Sequence, residues 1–199
     1  MLFRSKGAGS SKNAETAMNY FMSKGWTREQ AAGIVGNLQH ESGRELNPTA
    51  YNSKERAYGI AQWHPDRQAN FIKLFGHDPR QGTFREQLEF TQWELEHTHK
   101  RAGNLLKTAK SADRAAQIVN EGFEISASRL DVGSKGSQMR MANARTLAKS
   151  NYTPQDTKSD FVGPVKPETP KTDFVGPVKP ETQQSSRIPK DKEIGRAHV

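Results

Sequence analysis

Glu41 is placed where a carboxyl group can do acid chemistry. It follows Ile34 by seven residues and Leu38 by three, so it continues the apolar stripe of a helix rather than its solvated face. At the buried C-terminal end of a helix, desolvation and the negative end of the helix dipole both disfavour a carboxylate anion. A carboxylic acid that keeps its proton towards neutral pH is what glycosidic cleavage needs, because the leaving oxygen must be protonated as the bond breaks. The same spacing also suits a glutamate at a frayed helix end, pointing to water. A second carboxylate would decide how such a reaction finishes. Glu55 lies in the loop beyond and could fold back across a cleft, although Lys54-Glu55-Arg56 is equally a charged loop tip. Metal chemistry has no visible ligand set: the histidines at 40, 64, 77, 97, 99 and 198 lack metal spacing, and His97 and His99 do not face one another on a helix. With no cysteine there is no disulfide, thiolate nucleophile or Cys-based zinc site. No cofactor is expected.

The elements that must position these groups read as helices. Ala14, Ala17, Met18, Phe21 and Met22 form one stripe over 13–24, with Gly25 placed to end it. Thr27-Arg-Glu-Gln30 is a capping box that opens a second helix, with Ile34, Val35 and Leu38 on its inner side. Gly33 and Gly36 weaken that helix, so close packing of a neighbour is their expected reason. Residues 43–63 hold Gly43, Pro48, Asn52 and Gly59 and lose the helical period, which predicts loops or a short hairpin. Helices are predicted again over 66–75, 84–98, 112–123 and 137–149. Asp66 reads as the N-cap of the first of these, although Pro65 allows either placement. The helix over 84–98 carries apolar residues on more than one side and is expected to be central. The predicted fold class is mostly α with one irregular excursion at about 43–63, the kind of segment that often carries a site.

Composition divides the 199 residues unevenly. Residues 1–150 hold 22 Lys and Arg against 15 Asp and Glu, with all three tryptophans and three of the ten prolines. Residues 151–199 hold eight basic and seven acidic residues and the other seven prolines. Ser159-Asp-Phe-Val-Gly-Pro-Val-Lys-Pro-Glu-Thr169 recurs, with one change, as Thr172–Thr182, a 13-residue unit suited to neither helix nor sheet. The expected organisation is a flexible stretch over 1–12, a folded domain over 13–150, and a disordered Pro-rich linker over 151–193. The repeats have a second reading, as short docking motifs for a partner. Residues 194–199, Ile-Gly-Arg-Ala-His-Val, match one reading frame of a sequencing adapter and read as a scar, which implies a protein that continues further. No apolar run approaches the roughly 20 residues of a membrane span, and the first ten residues lack the apolar core of a secretory signal. The basic balance of the folded part attracts polyanions; without a nucleic-acid-binding motif, cell-wall polymers are favoured over nucleic acid.

One ordered chain of motifs is more specific than any of these features. Glu41-Ser-Gly43, Leu46-Asn-Pro48 with Ala50, and Ala57-Tyr-Gly-Ile-Ala-Gln-Trp63 together resemble the lysozyme and lytic transglycosylase superfamily, and most closely the phage tail lysozyme domain. Gly25-Trp-Thr27, Glu29–Leu38, His64-Pro-Asp-Arg67, Gln87-Leu88 and Trp93-Glu-Leu95 extend the resemblance over about 13–149. It implies a lysozyme-like helical domain that cleaves the β-1,4 bond between N-acetylmuramic acid and N-acetylglucosamine in bacterial peptidoglycan. By that resemblance Glu41 is the catalytic acid/base and Ser42 orients it. Gln62 and the Tyr58-Gly59 backbone line the sugar cleft, Trp63 offers an aromatic face or belongs to the core, and Glu55 is the second acid of a hydrolytic enzyme. Phe123-Glu124 falls where the family has an aromatic-Glu-Arg-Pro stretch; here Ile125-Ser126 replaces Arg-Pro, so a helix-end salt bridge stands beside a cleft role for Glu124. The alternatives are a lytic transglycosylase giving 1,6-anhydro ends, and a non-catalytic phage structural or DNA-ejection protein on the same fold. The implied setting is a phage virion, in the tail, or the host cytoplasm before release. Peptidoglycan is the implied partner, with other virion proteins meeting the C-terminal repeats.

Overall fold

The computed structural model describes residues 11–124, 131–150 and 152, and the Pro-rich repeats, residues 194–199 and residues 1–10 lie outside that set. Among the described residues the fold is mostly α: seven helices and one two-residue-per-strand hairpin. No helix among them is long and apolar enough to cross a membrane.

Helix α1 (Lys12–Ser23) starts where the Ser11 side chain accepts the backbone N–H of Ala14 at 3.1 Å, so it overlaps the expected N-terminal stretch by one residue and its cap. It buries the predicted stripe, with Ala14, Ala17, Met18 and Phe21 inside. Gly25, at φ +93°, turns the chain out of it. Helix α2 (Arg28–Ser42) opens on the predicted capping box of Thr27 and Gln30. The Gln30 amide also donates to the carbonyls of Lys107 and Ala109, at 3.0 and 3.3 Å, which ties the start of α2 to a distant loop. The one-sided burial expected for α2 is replaced by burial all round: every residue from Gln30 to Leu38 is buried. Four of those nine, Ala31, Ala32, Gly33 and Gly36, are small enough for helices to close in from several sides.

After α2 the excursion folds into the short hairpin β1 (Tyr51–Asn52) and β2 (Ala57–Tyr58), antiparallel, with Tyr51 opposite Tyr58 and Asn52 opposite Ala57. Helix α3 (Pro65–Phe75) has His64 as its N-cap and Pro65 in the first turn, so Asp66 is a first-turn acid and not the cap. Helix α4 (Phe84–Glu96) begins with a second capping box, Thr83 with Glu86, and buries Leu88, Phe90, Thr91, Glu94 and Leu95. Trp63, Phe71 and Phe90 form the aromatic centre, with ring centroids 5.2–6.4 Å apart.

The short α5 (Lys100–Leu106) is absent from the sequence reading because seven residues are too few turns to display a helical period, and a Cβ at its Gly103 would lie against the Leu95 carbonyl. Helix α6 (Ala112–Val119) stops four residues early and passes into a wide π-helical turn, Asn120–Glu124. Helix α7 (Lys135–Lys149) is capped by Ser134 and packs along α2, which also contacts α6 and α1.

Candidate active site

Helix α2 delivers Glu41 to its last turn, and Gly43, at φ +87°, ends the helix in a conformation that strains other residues. The Glu41 side chain is 20 % exposed, and its Oε1 accepts a hydrogen bond from Nη2 of Arg140, a buried residue of α7. The helical stripe set Glu41 at a buried helix end or turned to water; the structure leaves it partly exposed and makes it one half of an ion pair. Gly36 makes the pair possible. A Cβ there would stand 2.8 Å from the Ala144 nitrogen and 3.0 Å from the Arg140 carbonyl oxygen, so α7 can lie against α2 only because that atom is missing. Gly33 does the same for α6, with the Ala116 nitrogen 2.8 Å from the same hypothetical atom. Beside Glu41, burial and then the positive charge of Arg140 hold the His40 imidazole below its usual range, against a smaller opposing effect of Glu41.

Further charged groups stand on α3, α4 and the π-helical turn. Glu124 ends the π-helical turn; the residue is half-buried, but its Oε1 is shielded from solvent and has no hydrogen-bond partner. Burial, and next the negative charge of Glu41, push its carboxyl well above the usual carboxylate range, against the pull of Arg67 and Arg140. Among the described residues Glu124 forms no salt bridge, so the helix-end ion pair offered for it is not found. Arg67 of α3 is instead committed to Glu94 of α4, with Nε and Nη2 both donating at 2.8 Å. Glu94 is fully buried and also accepts the Trp63 indole N–H at 2.8 Å. Burial opposes the charge on Arg67, but the hydrogen bonds and charge of Glu94 outweigh it and raise its proton affinity.

The excursion sits differently from the sequence picture. Trp63 has no exposed surface, so its ring is core and offers no face to a sugar. Gly59, at φ +82°, carries its backbone so close to the core that a Cβ would meet the Trp63 ring at 2.7 Å and Gln87 Oε1 at 2.8 Å. That same Oε1 accepts the Ile60 N–H at 3.0 Å, and the Gln87 amide donates to the Pro48 carbonyl at 2.9 Å. Gln87 of α4 thereby clamps both ends of the loop. Gln62 is half-buried, and its amide donates to the carbonyls of Ala50 and Gly59 at 3.1 and 3.0 Å, bracing the loop. Tyr58 is buried beside the guanidinium of Arg80, 5.1 Å from its ring centre. The Ser42 hydroxyl donates to the Leu38 carbonyl at 2.9 Å, so it is bonded back into its own helix instead of to Glu41. Glu55 is 58 % exposed at the hairpin tip, accepting from the Asn52 amide at 3.0 Å and lying 4.0 Å from His64.

A family model for phage tail lysozyme matches residues 12–150, the span from the first residue of α1 to the residue after α7. The chain belongs to the phage tail lysozyme family. It is also similar to morphogenesis protein 1 of Bacillus phage B103, 27 % identical over 128 residues that cover 56 % of this chain and 33 % of that protein. The match thus spans about a third of that relative's length.

In this phage tail lysozyme domain two hollows adjoin the charged residues. One of about 640 Å³ is lined by His40 and Gly43, the neighbours of Glu41, with Arg44 and Asn143. The other, of about 380 Å³, is lined by Glu124, Arg67, Glu94, His64 and His99. Glu41 lines neither of the two. Sequence reasoning missed Arg140, Arg67 and Glu94 as site residues. Glu94 did carry a signal: it sits between Trp93 and Leu95 on a helix apolar on several sides, where a carboxylate requires a cation partner. Arg140 carried none, because its role depends on the packing of α7 along α2.

Proposed function

We propose that this domain cleaves the β-1,4 bond between N-acetylmuramic acid and N-acetylglucosamine in bacterial peptidoglycan, with Glu41 as general acid and then general base. The observation that supports it most is the setting of Glu41. Its carboxyl is partly open to solvent and held by a buried arginine, at the end of the deeply buried α2, within the family match. Protonated Glu41 gives its proton to the glycosidic oxygen as the bond to the muramic acid anomeric carbon breaks. Arg140 then faces the negative charge that Glu41 has acquired. In hydrolysis the carboxylate takes a proton from the water that attacks the anomeric carbon. In transglycosylation it takes the proton of the sugar's own 6-hydroxyl and leaves a 1,6-anhydro end.

Hydrolysis is the first reading, with Glu55 as the acid that would hold the water. The exposed position of Glu55, tied to Asn52 at the hairpin tip, supports transglycosylation as the second reading, since that route needs no further carboxylate. The match to the phage tail lysozyme family supports a location in the phage virion, with the host cytoplasm before release as the alternative, and in the virion the C-terminal repeats would meet other tail proteins. A zymogram on bacterial walls separates an enzyme from a purely structural tail protein, and mass spectrometry of released muropeptides separates the two outcomes by the mass of one water. Clearing by the wild type that persists in Glu41→Gln would overturn the assignment of the acid.

A further inference from the structure

The hollow of about 640 Å³ is built from the two helices that hold Glu41. Helix α2 gives it Gln39 and His40, immediately before Glu41, and the chain leaving α2 gives it Gly43 and Arg44. Helix α7, which carries Arg140, gives it Met139, Asn143 and Leu147, spaced by four residues and so on one face. Its volume falls within the range of about 300–1,000 Å³ usual for small-ligand sites. No carboxylate is found among the described residues that line it. Arg44 is exposed, and its guanidinium enters no ion pair or hydrogen bond among the described residues. Asn143 and Gln39 donate from their amide nitrogens to the carbonyls of Gly36 and Arg44, at 3.3 and 3.0 Å, while their side-chain oxygens accept no bond from a described residue. Met139, Leu147 and Tyr152 add apolar surface. A lone guanidinium, open amide acceptors and apolar patches complement a short peptide ending in a carboxylate. The carboxylate meets the cation, the peptide N–H groups donate to the acceptors, and small side chains cover the apolar surface.

We infer that this hollow receives the peptide that peptidoglycan carries on its muramic acid, with Arg44 bound to a peptide carboxylate. The inference rests on the reading of the domain as a glycosidase acting through Glu41, and it adds the part of the substrate beside the broken bond. The covalent structure of that substrate calls for such a place. The sugar released at its anomeric carbon is the muramic acid, and its lactyl group bears the peptide, so peptide and scissile bond reach the protein together. With the glycosidic oxygen at Glu41, the first peptide residues lie a sugar ring away, and His40, Gly43 and Arg44 flank Glu41 in the chain. The hollow recognises the peptide and breaks no bond in it. Arg44 contributes binding that is present before the reaction starts, which shows in KM more than in kcat.

The test is calorimetric titration of the full chain with N-acetylmuramoyl-L-alanyl-D-isoglutamine, which ends in a free carboxylate, and with its carboxamide. The wild type should bind the acid about fivefold more tightly than the carboxamide, the upper end for an ion pair that solvent reaches. Arg44→Gln should remove that preference, and so should Met139→Glu, which sets an anion in the same hollow and leaves Arg44 in place. Equal affinities of the wild type for acid and carboxamide overturn the inference, as does a preference that survives in Arg44→Gln. Binding of a glycerol phosphate polymer through Arg44, with none of the muramoyl peptide, assigns the cation to another wall polyanion and overturns it too. Turnover separates this inference from the catalytic reading. For the wild type, kcat/KM should be higher on peptide-bearing glycan strands than on strands stripped of peptide by an amidase, and Arg44→Gln should narrow the gap, chiefly through KM. An unchanged gap overturns peptide recognition and leaves Glu41 as the acid. A chain that binds the muramoyl peptide through Arg44 yet clears no wall refutes the catalytic reading alone.

Discussion

Gly36→Ala sets two effects against each other, and the geometry decides between them. In the interior of an exposed helix the change would stabilise by about 1 kcal/mol, because alanine loses less backbone entropy than glycine. Here the added Cβ meets the Ala144 nitrogen at 2.8 Å, the Arg140 carbonyl oxygen at 3.0 Å and the Ala144 Cα at 3.1 Å. Comfortable contacts lie at about 3.5–4.0 Å, so α7 must withdraw by roughly half an ångström or more. All three atoms belong to the backbone of a helix and cannot rotate away. Overpacking of this kind costs typically about 1–3 kcal/mol, and the upper end applies when backbone must move. The expected net effect is a loss of about 1–2 kcal/mol. It is read from urea unfolding followed by tryptophan fluorescence, since Trp26 and Trp63 are buried. Because α7 carries Arg140, wall lysis should fall by more than the folded fraction does. A variant as stable as the wild type, or more so, would refute the claim that Gly36 sets the α2–α7 distance.

Three further outcomes are expected. Glu94→Leu leaves Arg67 buried without its partner and should cost about 3–5 kcal/mol in urea unfolding, with most of the loss recovered on adding Arg67→Met; a loss below about 1 kcal/mol would contradict the buried pair. Glu124 has a proton affinity raised by folding, so the folded chain binds a proton that the unfolded chain releases. Stability from this group is therefore whole below the unfolded carboxyl range and falls as pH rises towards its folded value, by up to about 1.4 kcal/mol per pH unit. Urea midpoints from pH 4 to 9 should show Glu124→Gln gaining on the wild type with rising pH, and parallel curves would contradict it. Residues 1–152 alone should unfold cooperatively with the midpoint of the full chain, and a lower midpoint would mean that the repeats contribute to the folded body.

The helices were legible in the sequence to the extent that their signals are local. Stripes such as Ala14-Ala17-Met18-Phe21 and capping groups such as Thr27 with Gln30 depend on residues within one or two turns, and the structure agrees with them to within a few positions. Helix α5 and the π-helical turn have no such local signature, since both owe their shape to what they pack against. Gly33 and Gly36 advertised close neighbours but not which helices those are. The site divides in the same way. Glu41 was marked by its position in a periodic stripe and by an ordered family motif. Arg140 lies 99 residues away, so only the folded chain shows that the two meet. Trp63 carried two readings because an aromatic residue at a loop end serves a cleft or a core equally well; the indole bond to Glu94 and its zero exposure decide for the core.

The central claim is that Glu41 supplies the proton for wall cleavage, and the rate of wall lysis by Glu41→Gln tests it most directly. Glutamine keeps an oxygen that can accept the hydrogen bond of Arg140 but has no proton to give. The variant should fold, as circular dichroism would show, with a stability loss of about 1–3 kcal/mol from the weakened pairing with Arg140. Its rate should fall by about 10²-fold or more, the lower bound of what general acid catalysis contributes. A folded Glu41→Gln protein that retains more than about a tenth of the wild-type rate would contradict the account and move the acid to another residue.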